Sequence, residues 1–495
     1  MFEIDKFSPL DIISESYKLE QIREIGGEFH FYDTFGFRLF FNELCLYRKD
    51  NIIYLQGKGL KELLSCTLSD SDLNLHFWWD INDEAIRGYL KNIVGVRALN
   101  EIFKMDIVAR EYNIYNDNSK IIASISAFDF PQFYFTLLRI NRLKGYKKEA
   151  KNTKLILENA GAYKLKSVLK FIFEKAGITT NEYTTKICAN INKSDLTCDA
   201  TKVILKEMLI LMEKNISGIK SHIDAEFLHD FRVALRRTRT ALTQLKGIFK
   251  EEYILTYKKN FSEITNRTNR ARDLDIQYLT FVELKFNILD NLKPGLTILL
   301  NYLNELRSKE YNKLAKFLTT KIFNSILNKW GKFIESTDIN NFGENGLKPV
   351  GQMAPYYIIE ALKKVNKKYQ SVIKNFNPRN MHKMRISCKK LRYVLEFFSP
   401  IYNEPIYEKT IEALKTLQDT LGLYQDVEVQ KKMLSEIMNG LSKNEDFIKD
   451  IFMTTGYFFR LLEEKQQKST TNFLEYFDNF IDLIDSKKFR KVLNF

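Results

Sequence analysis

Proline is scarce: the 495-residue chain has eight, and none falls between Pro131 and Pro294. The 162 residues between those two carry no fixed φ and no missing amide donor, and they are rich in Leu, Lys and Glu, which favours long helices. Cysteine is few and odd in number. Cys45, Cys66, Cys188, Cys198 and Cys388 form no Cys-x-x-Cys pair, which excludes a disulfide framework or zinc site of that kind and points to a reducing compartment. No apolar run approaches the roughly 20 residues needed to cross a bilayer. The opening, MFEIDKFSPLD, is acidic where a secretion signal is basic. A cytoplasmic protein without membrane contact is expected. Also missing are low-complexity tracts and a Gly-rich phosphate loop.

What is present is divided unevenly. Residues 1–200 hold 27 Lys+Arg and 27 Asp+Glu, so the whole net charge of +14 lies in 201–495. A neutral front and a basic back imply different tasks, and the basic part should attract polyanions. The length implies two to four domains. In the front, residues 29–58 and 106–140 mix β-branched and aromatic residues with turns such as Asn116-Asp117-Asn118, and a helix is expected over Asp83–Lys104. This predicts an α+β domain with an antiparallel sheet over 1–195, helical at its C-terminal end. From about residue 150 the apolar spacing is helical, as in Val203, Leu205, Met208, Leu209, Leu211 and Met212, with Asp199 expected as N-cap. The Gly-, Asn- and Pro-bearing stretch 336–355 reads as a linker between helical halves at 199–335 and 356–495.

Those halves carry the same basic phrase. His229-x-x-Arg232-x-x-x-Arg236-Arg237-x-Arg239 recurs as His382-x-x-Arg385-x-x-x-Lys389-Lys390-x-Arg392, 153 residues on. Each histidine is followed 44 residues later by an aspartate, Asp273 and Asp426. At 100° per residue, positions 229, 232, 236 and 239 fall within an arc of about 80° along roughly 15 Å of helix. The opposite side, Phe231, Ala234, Leu235, Thr238, Ala241 and Leu242, is an apolar face fit for packing, as are Met384, Leu391, Val394 and Leu395 in the second copy. A solvated helix face interleaves acids three or four residues away. Here the first ridge has only Asp230 nearby and His382–Arg392 contains no acid. Repulsion repeated twice without relief implies an anion. Asp273, Asp275, Asp426 and Glu428 are expected to pair with one or two ridge arginines per half, leaving the rest for a ligand.

The segments HDFRVALRRTRTAL and MHKMRISCKKLRYVLEFF resemble the two histidine-bearing helices of the CHAD family, the conserved-histidine α-helical domain. ARDLD and LQDTLGLYQDVEV resemble its downstream helices, and CDATKVILKEMLILMEKN its lead-in helix. The resemblance covers about 199–495. It implies an all-α domain of two pseudo-symmetric four-helix bundles whose basic ridges line a groove for inorganic polyphosphate. Carried over, the binding residues are His229, Arg232, Arg236, Arg239, His382, Arg385, Lys389 and Arg392. Arg237 and Lys390 flank them, Arg267 and Arg270 stand on a neighbouring helix, and Asp273 and Asp426 are the structural acids. Thr420, Leu423 and Gln425 replace Arg267, Arg270 and Arg272 at the same offset, so the two walls should contribute unequally.

CHAD domains often follow a CYTH domain, the triphosphate tunnel fold. FYDTFGFRLFFNELCLYRK resembles the YYDT…L…G…LRxR strand pair of that family. The hallmark ExExK is not matched, since MFEIDKF offers Glu3, Asp5 and Lys6, and LRxR is reduced to Leu46-Tyr47-Arg48. A tunnel enzyme needs acids for metal and several arginines for triphosphate. The front domain is therefore expected to be CYTH-like without hydrolase chemistry, with no catalytic residues, metal or cofactor. The leading expectation is a polyphosphate-binding protein, associated with polyphosphate granules and holding a protein partner through its front domain. Non-specific nucleic-acid binding is the alternative, disfavoured because no aromatic residues interleave with the ridge cations. A metal-dependent triphosphatase or cyclase activity in the front domain is the third reading.

Overall fold

The structure is a computed structural model and describes residues 2–4, 9–58, 61–68, 76–441 and 448–493. The chain divides into two compact units, Met1–Thr184 and Thr185–Phe495.

The first unit is built on nine strands: β1 (Phe2–Ile4), β2 (Lys18–Asp33), β3 (Cys45–Lys49), β4 (Ile52–Gly57), β5 (Lys61–Thr67), β6 (Asn100–Tyr115), β7 (Ile121–Phe130), β8 (Phe135–Arg142) and β9 (Tyr163–Lys164). They form one sheet in the order β5-β4-β3-β2-β6-β7-β8-β1-β9, with antiparallel ladders. Helices α1 (Pro9–Ser14), α2 (Arg38–Phe41), α3 (Glu84–Val94), α4 (Lys147–Asn159) and α5 (Val168–Lys175) complete it. Neighbouring residues of a strand face opposite sides. Thus Leu137 of β8 joins a core with Val168, Leu169 and Ile172 of α5, whereas Leu138 joins one with Ile13 of α1 and Leu157 of α4. The expected α+β unit is present, and the Asn116 turn closes β6 onto β7 through a 3.0 Å bond from the Asn116 amide to the Lys120 carbonyl.

The helix expected over Asp83–Lys104 is shorter. Asp83 caps it by accepting from the Ile86 amide at 2.8 Å, but Gly95 at φ 63° ends it, and Asn100 opens β6. A left-handed glycine stops a helix regardless of the periodicity beyond it.

The second unit is helical: α6 (Thr197–Lys220), α7 (Ala225–Gln244), α8 (Glu251–Leu284), α9 (Lys293–Leu318), α10 (Lys321–Glu335), α11 (Val350–Lys374), α12 (Pro378–Phe398), α13 (Pro405–Leu441), α14 (Ile448–Asp485) and α15 (Lys487–Val492). Among the described residues no helix is long and apolar enough to cross a membrane. The duplication is visible in the boundaries. Thr197, Ala225 and Glu251 advanced by 153 residues fall at 350, 378 and 404, and α11, α12 and α13 open at Val350, Pro378 and Pro405.

Asp199 is not the cap of α6. The helix opens at Thr197, whose amide and hydroxyl both donate to the Lys348 carbonyl, at 2.9 and 2.7 Å, so a tertiary contact stands in for a side-chain cap. Helix α11 begins within the segment read as linker, because Val350, Met353, Ala354, Tyr357 and Ile358 are buried at helical spacing despite Pro355. The apolar backs of α7 and α12 are buried as their spacing requires, Phe231, Leu235, Met384 and Leu391 at 0% exposure. Gly218 lets α6 approach α7, since a Cβ there would sit 2.3 Å from the Phe227 ring. Helix α7 packs on α6 and α8, α12 on α11 and α13, and α7 and α12 on each other. Leu274, Leu299, Leu434 and Phe458 belong to one core drawn from α8, α9, α13 and α14, so the two copies share their interior.

Candidate functional site

Helices α7, α8, α12 and α13 enclose a groove of about 670 Å³. From α7 come His229, Arg232 and Arg236, and from α12 the equivalent His382, Arg385 and Lys389. Helix α8 adds Asn269, Arg272, Asp273, Ile276 and Gln277, and α13 adds Val429, Gln430 and Met433. Among the described lining residues, five guanidinium or ammonium groups and two imidazoles thus border the groove with one carboxylate, Asp273. Among the described lining residues none is Phe, Tyr or Trp.

Arg232 is held by neutral oxygens. It donates to the Thr265 carbonyl at 3.1 Å, to the Asn269 side-chain carbonyl at 2.8 Å and to the Thr268 hydroxyl. Burial, and then the neighbouring Arg236 guanidinium, push its pKa down to about 10, so it remains cationic near neutrality. The Asp273 carboxylate partly offsets that push, and with the Thr265, Thr268 and Asn269 acceptors all neutral, a partly desolvated Arg232 favours a further anion beside it.

The other sequence-identified cations are placed elsewhere. Arg237 pairs with Glu396 at 2.8 Å and donates to the Thr185 carbonyl. Arg392 takes the other oxygen of Glu396 at 2.8 Å and donates to Gln418 at 2.9 Å. Glu396 therefore ties α12 to α7 through Arg237, while Arg392, one turn earlier on α12, holds its other oxygen. Arg239 donates to Thr265 and Ser262, and burial lowers its pKa. Arg267 pairs with Glu263 and lies over the Phe317 ring, and Arg270 pairs with Glu436. Lys390 is exposed at the surface outside the groove, its pKa lowered first by desolvation and then by Lys364. Of the expected acids, Asp273 borders the groove, while Asp275 is buried against Arg307 at 2.9 Å and Tyr311 at 2.7 Å. Glu428 accepts from Gln466, and the side chain of Asp426 lies outside the described residues.

Sequence reasoning placed Arg272 only among neighbouring bases and missed Asn269, Gln277 and Gln430. The signal was available, since 269, 272, 273, 276 and 277 are the i, i+3, i+4, i+7, i+8 stripe through Asp273. In the first unit, Arg48 of the Leu46-Tyr47-Arg48 remnant donates to the Asp50 carbonyl at 2.7 Å and the Tyr32 hydroxyl at 3.3 Å. Asp5, Lys6 and the Glu3 side chain lie outside the described residues.

A duplicated all-helical domain, with the cationic faces of two equivalent helices brought to one groove, is the class that these features define. Residues 203–435 match the CHAD domain family model, and this part of the chain is a CHAD domain. Among solved structures, the CHAD domain of the plant Ricinus communis is similar at 19% identity, covering 63% of this chain and 96% of that one with a TM-score of 0.47. PptA from Streptomyces chartreusis is similar at 8% identity, covering 57% and 100% with a TM-score of 0.46. No curated protein matches the chain.

Proposed function

We propose that the CHAD domain binds inorganic polyphosphate in the groove between α7, α8, α12 and α13, acting as a binding module rather than a catalyst. The observation carrying this reading is the charge set of the groove: among its described lining residues, five Lys or Arg side chains and two histidines stand against one carboxylate. Polyphosphate presents charge at every unit and no base to read. Guanidinium forks match its oxygens, and lysine adds mobile point charge. Nucleic acid shares the charge, but its unpaired bases gain from stacking on rings. The neutral first unit would hold a protein partner, with the chain placed on polyphosphate granules by its basic half.

Competition tests the ligand class. Single-stranded nucleic acid should fail to displace labelled polyphosphate from the full chain at moderate salt; equal displacement by both polymers would make the groove a general polyanion site. In cells, residues 1–195 alone should stay off the granules that the full chain occupies.

A further inference from the structure

Gln277 breaks the symmetry of the groove. Its counterpart 153 residues on is Gln430, and both border the cavity. The Gln430 amide donates to the Thr280 hydroxyl at 3.2 Å. The position equivalent to Thr280 is Met433, whose thioether is a weak acceptor, so Gln277 has no matching hydroxyl. Gln277 is 0% exposed, and among the described residues neither its amide nitrogen nor its carbonyl oxygen has a hydrogen-bond partner. The Nε of Arg236, which borders the same cavity, is also buried without one. Such groups bear the desolvation cost of burial with no bond in return, and a ligand that supplies the bonds recovers it.

Gln277 and Arg236 between them present two such donor nitrogens and one such acceptor oxygen. An interior unit of a linear polyphosphate has only acceptor oxygens near neutrality. A terminal unit carries one further, weakly acidic hydroxyl, ionising around pH 6 as in a phosphomonoester, so in its singly ionised form it both donates and accepts. We propose that Gln277 and Arg236 seat the terminal phosphoryl group of a linear polyphosphate, its hydroxyl donating to Gln277 Oε1 while its anionic oxygens accept from Gln277 Nε2 and Arg236 Nε. The inference rests on the polyphosphate reading and adds to it recognition of chain ends.

Linear tripolyphosphate and cyclic trimetaphosphate, which has no end, separate the two ideas when titrated into the full chain. The unmodified protein should bind the linear form at least tenfold more tightly. Gln277→Met, nearly isosteric and apolar, should weaken linear tripolyphosphate about tenfold more than it weakens trimetaphosphate or long-chain polyphosphate. Its unfolding midpoint should not fall, because both unmet groups leave together. Met433→Thr supplies the hydroxyl that Gln430 already has and should weaken the linear form similarly with the amide in place; it decides the matter alone if Gln277→Met fails to fold. Equal loss for linear and cyclic forms, or no loss in either variant, overturns the end seat and leaves Gln277 to buried water. Failure of the broader reading looks different: the unmodified protein would bind none of the three phosphates.

Discussion

Removing Arg236 and Lys389 together tests the groove through its salt dependence. Both border the cavity at equivalent positions of α7 and α12. For polyanions, log K falls by about 0.7 to 0.9 per neutralised phosphate for each decade of salt. Five cationic contacts give a slope of about −3.5 to −4.5, a loss of roughly 130- to 500-fold between 50 and 200 mM salt. With three contacts left, Arg236→Ala/Lys389→Ala should show a slope of about −2.1 to −2.7 and a loss of roughly 20- to 40-fold. The apolar backs of the helices are untouched, so helicity by circular dichroism should not change. Fluorescence anisotropy of labelled polyphosphate across a salt series reads both slopes. A double variant with the unmodified slope would refute the assignment of these side chains to phosphate, as would an unmodified protein whose affinity ignores salt.

Glu396→Gln should act on stability rather than on binding. It removes the carboxylate shared by Arg237 and Arg392, whose side chains are 11% and 21% exposed, and should cost about 3 kcal/mol in chemical denaturation. Polyphosphate affinity should hold within about twofold, and a variant that loses binding while keeping its stability would place those arginines in the ligand site instead. His222, stacked on Tyr311 at 3.8 Å, has its pKa depressed from 6.5 to about 4 by burial and then by Arg307. The folded state therefore binds fewer protons than the unfolded chain below pH 6.5. Stability is fully present above that pH and declines toward pH 4, by at most about 3 kcal/mol and roughly half of that once solvent screening is allowed for. His222→Phe should flatten this part of the stability–pH curve; an unchanged curve would assign the acid sensitivity to other groups.

Periodicity made the ridge helices legible. The spacing of Phe231, Leu235 and Thr238 opposite His229, Arg232 and Arg236 is a local property of helix geometry, and the buried and groove-lining faces follow it. Local signals misled where a tertiary contact overrode them. Thr197 binds the Lys348 carbonyl in place of a cap at Asp199, and core packing carries α11 through Pro355. The pairing expected of Asp275 failed for the same reason. Glu396 clamps Arg237 across 159 residues of sequence, and Asp275 turns to Arg307 and Tyr311.

The sequence by itself determined that two equivalent helices each carry cations on one side and apolar residues on the other, because side-chain direction along a helix depends only on residue spacing. The tertiary structure decided which cations remain on a shared cavity. Arg237 and Arg392 stand in the same motifs as Arg236 and Lys389, yet Glu396 lies within 2.8 Å of the first pair while the second pair borders the groove. Which carboxylate reaches which guanidinium depends on how α7, α8, α12 and α13 pack, and no spacing along the chain encodes that.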